Sequence, residues 1–309
     1  MKQSGTLEEF WKNDLPEGID PMTAKELRQS LRRGSFVLPF LGVHLLALVA
    51  VITEFQSGNM AAGTSEFVGT LNPWLILKSG PFWWIIGTVC MLIMPLGGLA
   101  LMEQELEDGN YELLLLTQLN PWKVVSGKFT ALWGMSAITF FSVLPYMLLR
   151  YFGGGIEWWD EVSCGATVLA YSAMTGAGAI GCSSIRGIGM RVVVMMLFFV
   201  SMTFGCFIPV CAIAIVSDGC GPYYQLTALA GAVCYTMIGF AMARSGLRLN
   251  VMPYEVKPSS KMIGMLILAP FAIGMITLLT CGYGGIAGLL GVAFVASRLN
   301  VTQGCGFLR

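Results

Sequence analysis

The strongest constraint on this chain is the succession of long, predominantly apolar segments along it. Eight of them, at 34–55, 80–102, 124–151, 164–185, 191–216, 224–243, 262–281 and 283–297, reach or approach the roughly 20 residues that cross a bilayer core about 30 Å thick. In hydrocarbon every backbone N–H and C=O must find its partner inside the protein, so single apolar segments of this length form helices. The expected fold is an all-α polytopic membrane protein with about eight transmembrane helices. Composition agrees: 55% of the chain is apolar and 12% is charged, about half the roughly 25% usual in soluble domains. The last segment follows the turn Cys281-Gly282-Tyr283-Gly284-Gly285 and is short, which leaves a tilted span and a re-entrant hairpin both open.

Eighteen Lys and Arg balance eighteen Asp and Glu, which excludes a strongly basic nucleic-acid binder. Position carries more than the total. Short loops rich in Lys and Arg stay on the cytoplasmic side. With an inner N-terminus and an even number of spans, sixteen of the eighteen basic residues fall inside, so both termini are expected in the cytoplasm and the membrane is a bacterial-type inner membrane. The two exceptions, Lys78 and Arg150, sit beside predicted boundaries, where a long side chain is expected to snorkel to water. Outer loops are acidic or neutral, as in Glu157, Asp160, Glu161 and Asp218. The pairs Trp83-Trp84 and Trp158-Trp159 fall at predicted outer boundaries, where aromatic rings anchor at the headgroups.

The chemistry that is missing also narrows function. No charge falls mid-span: Glu54, Glu103 and Arg150 all lie at segment ends, so proton or sodium coupling, which uses buried intramembrane carboxylates or bases, is not expected. Gly127-Lys128 is followed by Phe129 without the earlier glycine of a phosphate-binding loop. The nine cysteines are scattered through apolar stretches and read as small packing residues rather than metal ligands. His44, the one histidine, reads as a packing residue or an interhelical hydrogen-bond partner. No catalytic set and no metal site can be assembled. In the fourth segment Ala173, Ala177 and Gly181 repeat at four-residue spacing, and Gly284 and Gly288 form G-x-x-x-G; both favour close helix packing within the subunit, with a dimer seam as the alternative.

Two polar segments stand out. Before the first span, Asp20-Pro21 starts a helix and Thr23 with Glu26 fits a capping box. Met22, Leu27 and Leu31 share one side, and Lys25, Arg28, Arg32 and Arg33 are available to the other. This is an interfacial amphipathic helix or a solvated juxtamembrane one. Between the second and third spans, Glu103, Glu105, Glu107 and Asp108 lead to Gly109, after which Tyr111, Leu114 and Leu115 recur at i, i+3 and i+4, the spacing of one apolar helix face. Glu112 stands in the first turn, where the helix dipole favours a carboxylate. Asn120-Pro121 then restarts the chain as cap and first residue of the third span. The segment is a short inner amphipathic helix, fit to lie on the bilayer or to dock in a groove on a partner.

These residues resemble the permease subunits of ABC transporters of the type 2, mainly exporting, class. Members show an acidic lead-in, Gly-Thr-x-Glu-x-Leu-Leu, Thr-Pro, and then Trp-x-Ile/Val-Ile/Val-x-Gly-Lys at the third span. Gly109, Glu112, Leu114, Thr117, Trp122, Val124, Val125, Gly127 and Lys128 stand at matching places, whereas Asn110 and Gln118 replace the usual Thr and Pro. Thr23-Ala24-Lys25-Glu26-Leu27-Arg28 is similar to the family's connecting helix. The resemblance is specific over residues 20 to 130 and general elsewhere.

It implies a six-span permease core at 34–243 with a coupling helix in 103–122, preceded by a cytoplasmic region (1–33) that carries the connecting helix. An inner loop (244–261) and an added C-terminal helical pair with a short tail (262–309) follow. Glu103, Glu105, Gly109, Tyr111, Glu112, Leu114, Leu115 and Thr117 would engage a separate ATP-binding subunit, and Lys25, Leu27, Arg28, Leu31 and Arg32 would hold the connecting helix at the interface. ATP and Mg would belong to that partner, with no cofactor on this chain, and a second permease copy or homologue would complete the pathway. The residues alone also fit a membrane anchor that recruits a partner without transport, or a loop that merely tethers two spans. They do not identify a cargo.

Overall fold

The computed structural model describes residues 34–57, 79–101, 121–153, 158–185, 187–216, 222–251 and 261–298, with Leu27, Leu31, Ile76 and Ile156 as single positions. Among these, every regular element is a helix. In chain order they are α1 (Gly34–Ser57), α2, α3 (Pro121–Phe152), α4 (Trp158–Ser183), α5 (Ile188–Val216), α6 (Pro222–Val251), α7 (Lys261–Leu279) and α8 (Gly285–Arg298). α2 is composite: α-helical over Pro81–Gly87, π over Thr88–Ile93, α-helical again over Met94–Leu96 and 3₁₀ over Gly97–Ala100.

Six helices, α1, α2, α3, α5, α6 and α7, are long and apolar enough to cross a bilayer. Their outward faces carry large apolar side chains such as Leu45, Phe141, Met196 and Phe271, more exposed apolar surface than a soluble monomer tolerates. The protein is a multi-pass membrane protein. α8 has 14 residues, about 21 Å at 1.5 Å per residue. It folds back from α7 through a turn in which Gly282 has φ +93° and its N–H bonds the Thr277 carbonyl at 2.8 Å.

The fourth predicted segment is longer than expected and begins earlier, at Trp158. α4 falls outside the six because Gly, Ser, Thr and two carboxylates dilute its apolar content. It is nevertheless the most enclosed helix, packed by α2, α3, α5 and α6. Its hydroxyls bond within the helix, Ser163 Oγ to the Trp159 carbonyl at 2.6 Å and Thr167 Oγ1 to the Ser163 carbonyl at 2.7 Å, so burial leaves them satisfied. Small residues bring α6 against it. A Cβ on Gly239 would stand 2.5 Å from the carbonyl carbon of Ala177, and one on Gly181 would stand 2.9 Å from the Gly239 carbonyl oxygen. Ala177 and Gly181 therefore serve packing inside the subunit. α6 runs eight residues past its predicted end, through Arg244 and Arg248; the apolar run marks the depth of the bilayer, not the end of the helix.

The irregularity of α2 has a sequence cause. Pro95 has no N–H, which leaves the Met91 carbonyl, four residues earlier, without its helical donor. Thr175 Oγ1 of α4 lies 2.8 Å from that carbonyl. A bulged helix is tolerated in the membrane only where neighbours complete its hydrogen bonds. His44 meets Ser142 at 3.0 Å between α1 and α3, the interhelical bond its position in an apolar run suggested.

Gly239→Ala forces the Ala177 backbone aside, an overpacking cost of about 1–3 kcal/mol, and is expected to lower the melting temperature in detergent micelles. Gly42→Ala meets open space and is expected to leave it unchanged or raise it, because alanine is the better helix former.

Candidate functional site

The hairpin α2–α3 is fastened at both ends. At the near end, where the 103–120 segment leaves α2 and returns to α3, Leu101, Val124, Val125, Leu132, Met135, Ile180 and Ala243 form one buried cluster drawn from α2, α3, α4 and α6. Lys128 is buried within this end, and its ammonium donates to the Leu101 carbonyl at 3.4 Å. That bond ties α3 to the backbone where α2 leads into Leu101. Leu27 packs on the same cluster, and its methyl lies 4.0 Å from the place a Cβ on Gly134 would occupy.

At the far end, α1, α2, α3 and α4 meet around a buried guanidinium. Arg150, 1% exposed, donates from Nε to Glu54 Oε2 at 2.7 Å, from Nη2 to the Ser79 carbonyl at 2.8 Å, and from Nη1 to Glu161 Oε1. Its charge also lies over the Phe82 ring, 4.6 Å from the centroid. Glu54 uses its other oxygen to accept the Phe82 N–H at 3.1 Å, so a side chain of α1 caps the N-terminus of α2, the favourable place for a carboxylate. Gly80 has φ +98°, and a Cβ there would come within 2.8 Å of Glu54 Oε1; only glycine lets the chain enter α2 this close to the carboxylate. Trp83 Nε1 donates to Glu161 Oε1 at 3.2 Å. Glu161 Oε2 is buried with no hydrogen-bond partner. Ser79 Oγ lies 3.3 Å from the Cys164 sulfur, which is fully enclosed.

This cluster overturns three sequence expectations. Arg150 does not snorkel to water but is buried in protein. Asp160 and Glu161 belong to the first turn of α4 and are buried rather than lying in an outer loop. Trp83 is wholly enclosed and bonded to Glu161, whereas Trp84, Trp158 and Trp159 are exposed as interface anchors would be. The overlooked signal was the coincidence of an arginine and two carboxylates at three neighbouring segment ends: charges beside apolar runs are either at the water or paired with one another.

Of the residues expected to carry coupling, Glu103, Glu105, Gly109, Tyr111, Glu112, Leu114, Leu115 and Thr117 lie outside the described residues, as do Lys25, Arg28 and Arg32 of the connecting helix. Leu27 and Leu31 are described and half-buried. Val124, Val125 and Lys128 of the third-span motif are buried at the near end, and Trp122 meets Phe240 edge-on at 5.6 Å. Among the described residues, no three His, Cys, Asp or Glu side chains are placed to hold a metal ion. An apolar cavity of about 470 Å³ opens between α5 and α7, walled by Phe204, Ile208, Pro270 and Phe271. The Ser201 hydroxyl at its edge is 3.2 Å from Tyr235 Oη.

Comparison with protein-family models, with curated proteins and with solved structures finds no match.

Arg150→Met strands two buried carboxylates and is expected to cost about 3–5 kcal/mol, whereas adding Glu54→Gln and Glu161→Gln to it should restore much of the loss. Arg150→Lys keeps the charge but not the planar fork, and should fall between wild type and Arg150→Met. Unfolding in micelles, arranged as a mutant cycle, measures all three.

Proposed function

We propose that this chain is the membrane-spanning subunit of an ATP-driven exporter resembling the type 2 ABC permeases, and that a separate ATP-binding subunit drives it through residues 103–117. The observation that supports this reading best is the near-end anchor. The segment whose residues match the family pattern starts and finishes at one buried cluster, fastened by Lys128 on the Leu101 carbonyl and braced by Leu27. A partner that grips the segment would therefore act on α2, α3, α4 and α6 together rather than on a loose loop.

In this reading the acidic lead-in and Glu112 face the partner, Gly109 supplies the bend, and Tyr111, Leu114 and Leu115 fill its groove. The partner binds ATP and Mg, and this chain carries no nucleotide. Closure of the partner pulls on the near end of the α2–α3 hairpin. The π and 3₁₀ turns of α2, where the Met91 carbonyl takes a hydroxyl of α4 as partner, are the part of that hairpin best able to change winding. Two copies, or one copy and a homologue, enclose the pathway, with the N-terminus and the 103–117 segment on the cytoplasmic side of an inner membrane.

The test is co-purification with an ATPase encoded beside this chain, followed by reconstitution in vesicles. Scrambling residues 107–117 is expected to weaken the complex roughly tenfold or more, the scale of losing one binding hot spot, and to abolish ATP-driven flux. An unchanged complex would refute the coupling role. A complex that forms but moves no candidate cargo would mark the chain as an anchor.

A further inference from the structure

We infer that the far-end ion cluster is an openable seal between the α1–α2–α3 unit and α4, that Glu161 is the tie that releases, and that Cys164 lies beneath it. The two carboxylates that share Arg150 are unequally held. Glu54 uses both oxygens, one on Arg150 Nε and one on the Phe82 N–H, so α1, α2 and α3 are joined by a satisfied set of bonds. Glu161 gathers Arg150 and Trp83 on Oε1 alone, and its Oε2 is buried without a partner. Burying a carboxylate oxygen unpaired has a cost that opening to water removes. Of the two ties, the one to α4 therefore gains more from breaking.

Apolar packing crosses that line and holds the seal shut together with the ion tie. One buried core joins α1, α2 and α3 to the outer half of α4 around Phe82, Trp83, Phe140 and Val143. Another lies within α4 to α8 around Phe198, Tyr235 and Ile238. At the far end, the charged groups that bridge the first unit to α4 are Arg150 and Glu161. The groups facing Glu161 are Glu54 from α1, Trp83 from α2 and Arg150 from α3. Cys164, one turn further along α4, sits under Ser79 and inside the core that α4 shares with the first unit, so its sulfur reports whether that unit has parted from α4. Glu161 acts here as a positioning residue: it sets whether the far end is shut. That an ATP-driven partner opens the seal rests on the permease reading. The seal itself does not, and a test on this chain alone can fail without touching that reading.

The experiment follows thiol labelling by a charged, membrane-impermeant maleimide in nanodiscs, which expose both faces. Two chains are compared, one keeping only Cys164 and one keeping only Cys182, which is equally enclosed on the same helix. Cys164 should react slowly in the parent. Glu161→Gln should raise its rate roughly tenfold or more, the scale of weakening charged hydrogen bonds, and Trp83→Phe, which removes only the indole donor, should raise it less. Cys182 should stay slow throughout. Fast labelling of Cys164 in the parent, unchanged rates in both variants, or a parallel rise at Cys182, which would signal general loosening, each overturns the seal.

Discussion

A guanidinium that is shut away from water must be surrounded by acceptors, and the far end of this protein is organised by that requirement. The planar fork of Arg150 carries donors only, so the chain has to deliver acceptors to it from wherever they lie in sequence. Glu54 arrives from 96 residues earlier, the Ser79 carbonyl from 71 earlier and Glu161 from 11 later. Once those three are in place, the ends of α1, α3 and α4 and the start of α2 have little freedom. The entry into α2 follows: Gly80 makes room for Glu54, Pro81 occupies the first turn, and Glu54 caps the next N–H. Such a cluster adds less net stability than its bonds suggest, because the ions were well solvated beforehand. What it supplies is a single arrangement of four helix ends.

The same two helices carry the other fixed point. α2 and α3 are joined to each other at the near end by Lys128 and Leu101 and at the far end by Arg150, Ser79 and Phe82. Between these points α3 is a continuous helix of 32 residues, while α2 changes winding three times over about 20. A stiff member beside a compliant one, clamped at both ends, converts a pull at one end into a change of twist along the compliant member. Thr175 of α4 holds the bulge of α2 at Met91, the contact by which the proposed change of winding would reach the helix that bears Glu161.

How much of this could be read beforehand depends on whether the cause is local. Apolar runs placed α1, α3, α5 and α7 within a few residues, because depth in a bilayer is a local property of sequence. The apolar run starts at 164 whereas α4 starts at Trp158, because Asp160 and Glu161 look like loop residues until Arg150 and Trp83 are there to receive them. α6 outlasts its apolar run for the converse reason: Arg244 and Arg248 mark water, and a helix continues into water without difficulty. The Pro95 break was visible in sequence, but its repair by Thr175, 84 residues away, was not. Of the residues that carry the family resemblance, Gly109, Glu112, Leu114 and Thr117 fall outside the described structure, and the bond of Lys128 to the Leu101 carbonyl emerged only from the fold.

The central claim is that what happens at residues 103–117 is felt at Glu161. Spin labels at Trp84 of α2 and Val162 of α4, both exposed, straddle the cluster, and pulsed electron resonance in the reconstituted complex with the proposed ATP-binding subunit reads their separation. The account predicts a distance distribution that lengthens when ATP is bound and hydrolysis is blocked, with no such change when residues 107–117 are scrambled. Identical distributions with and without nucleotide, in a complex that hydrolyses ATP, would contradict it.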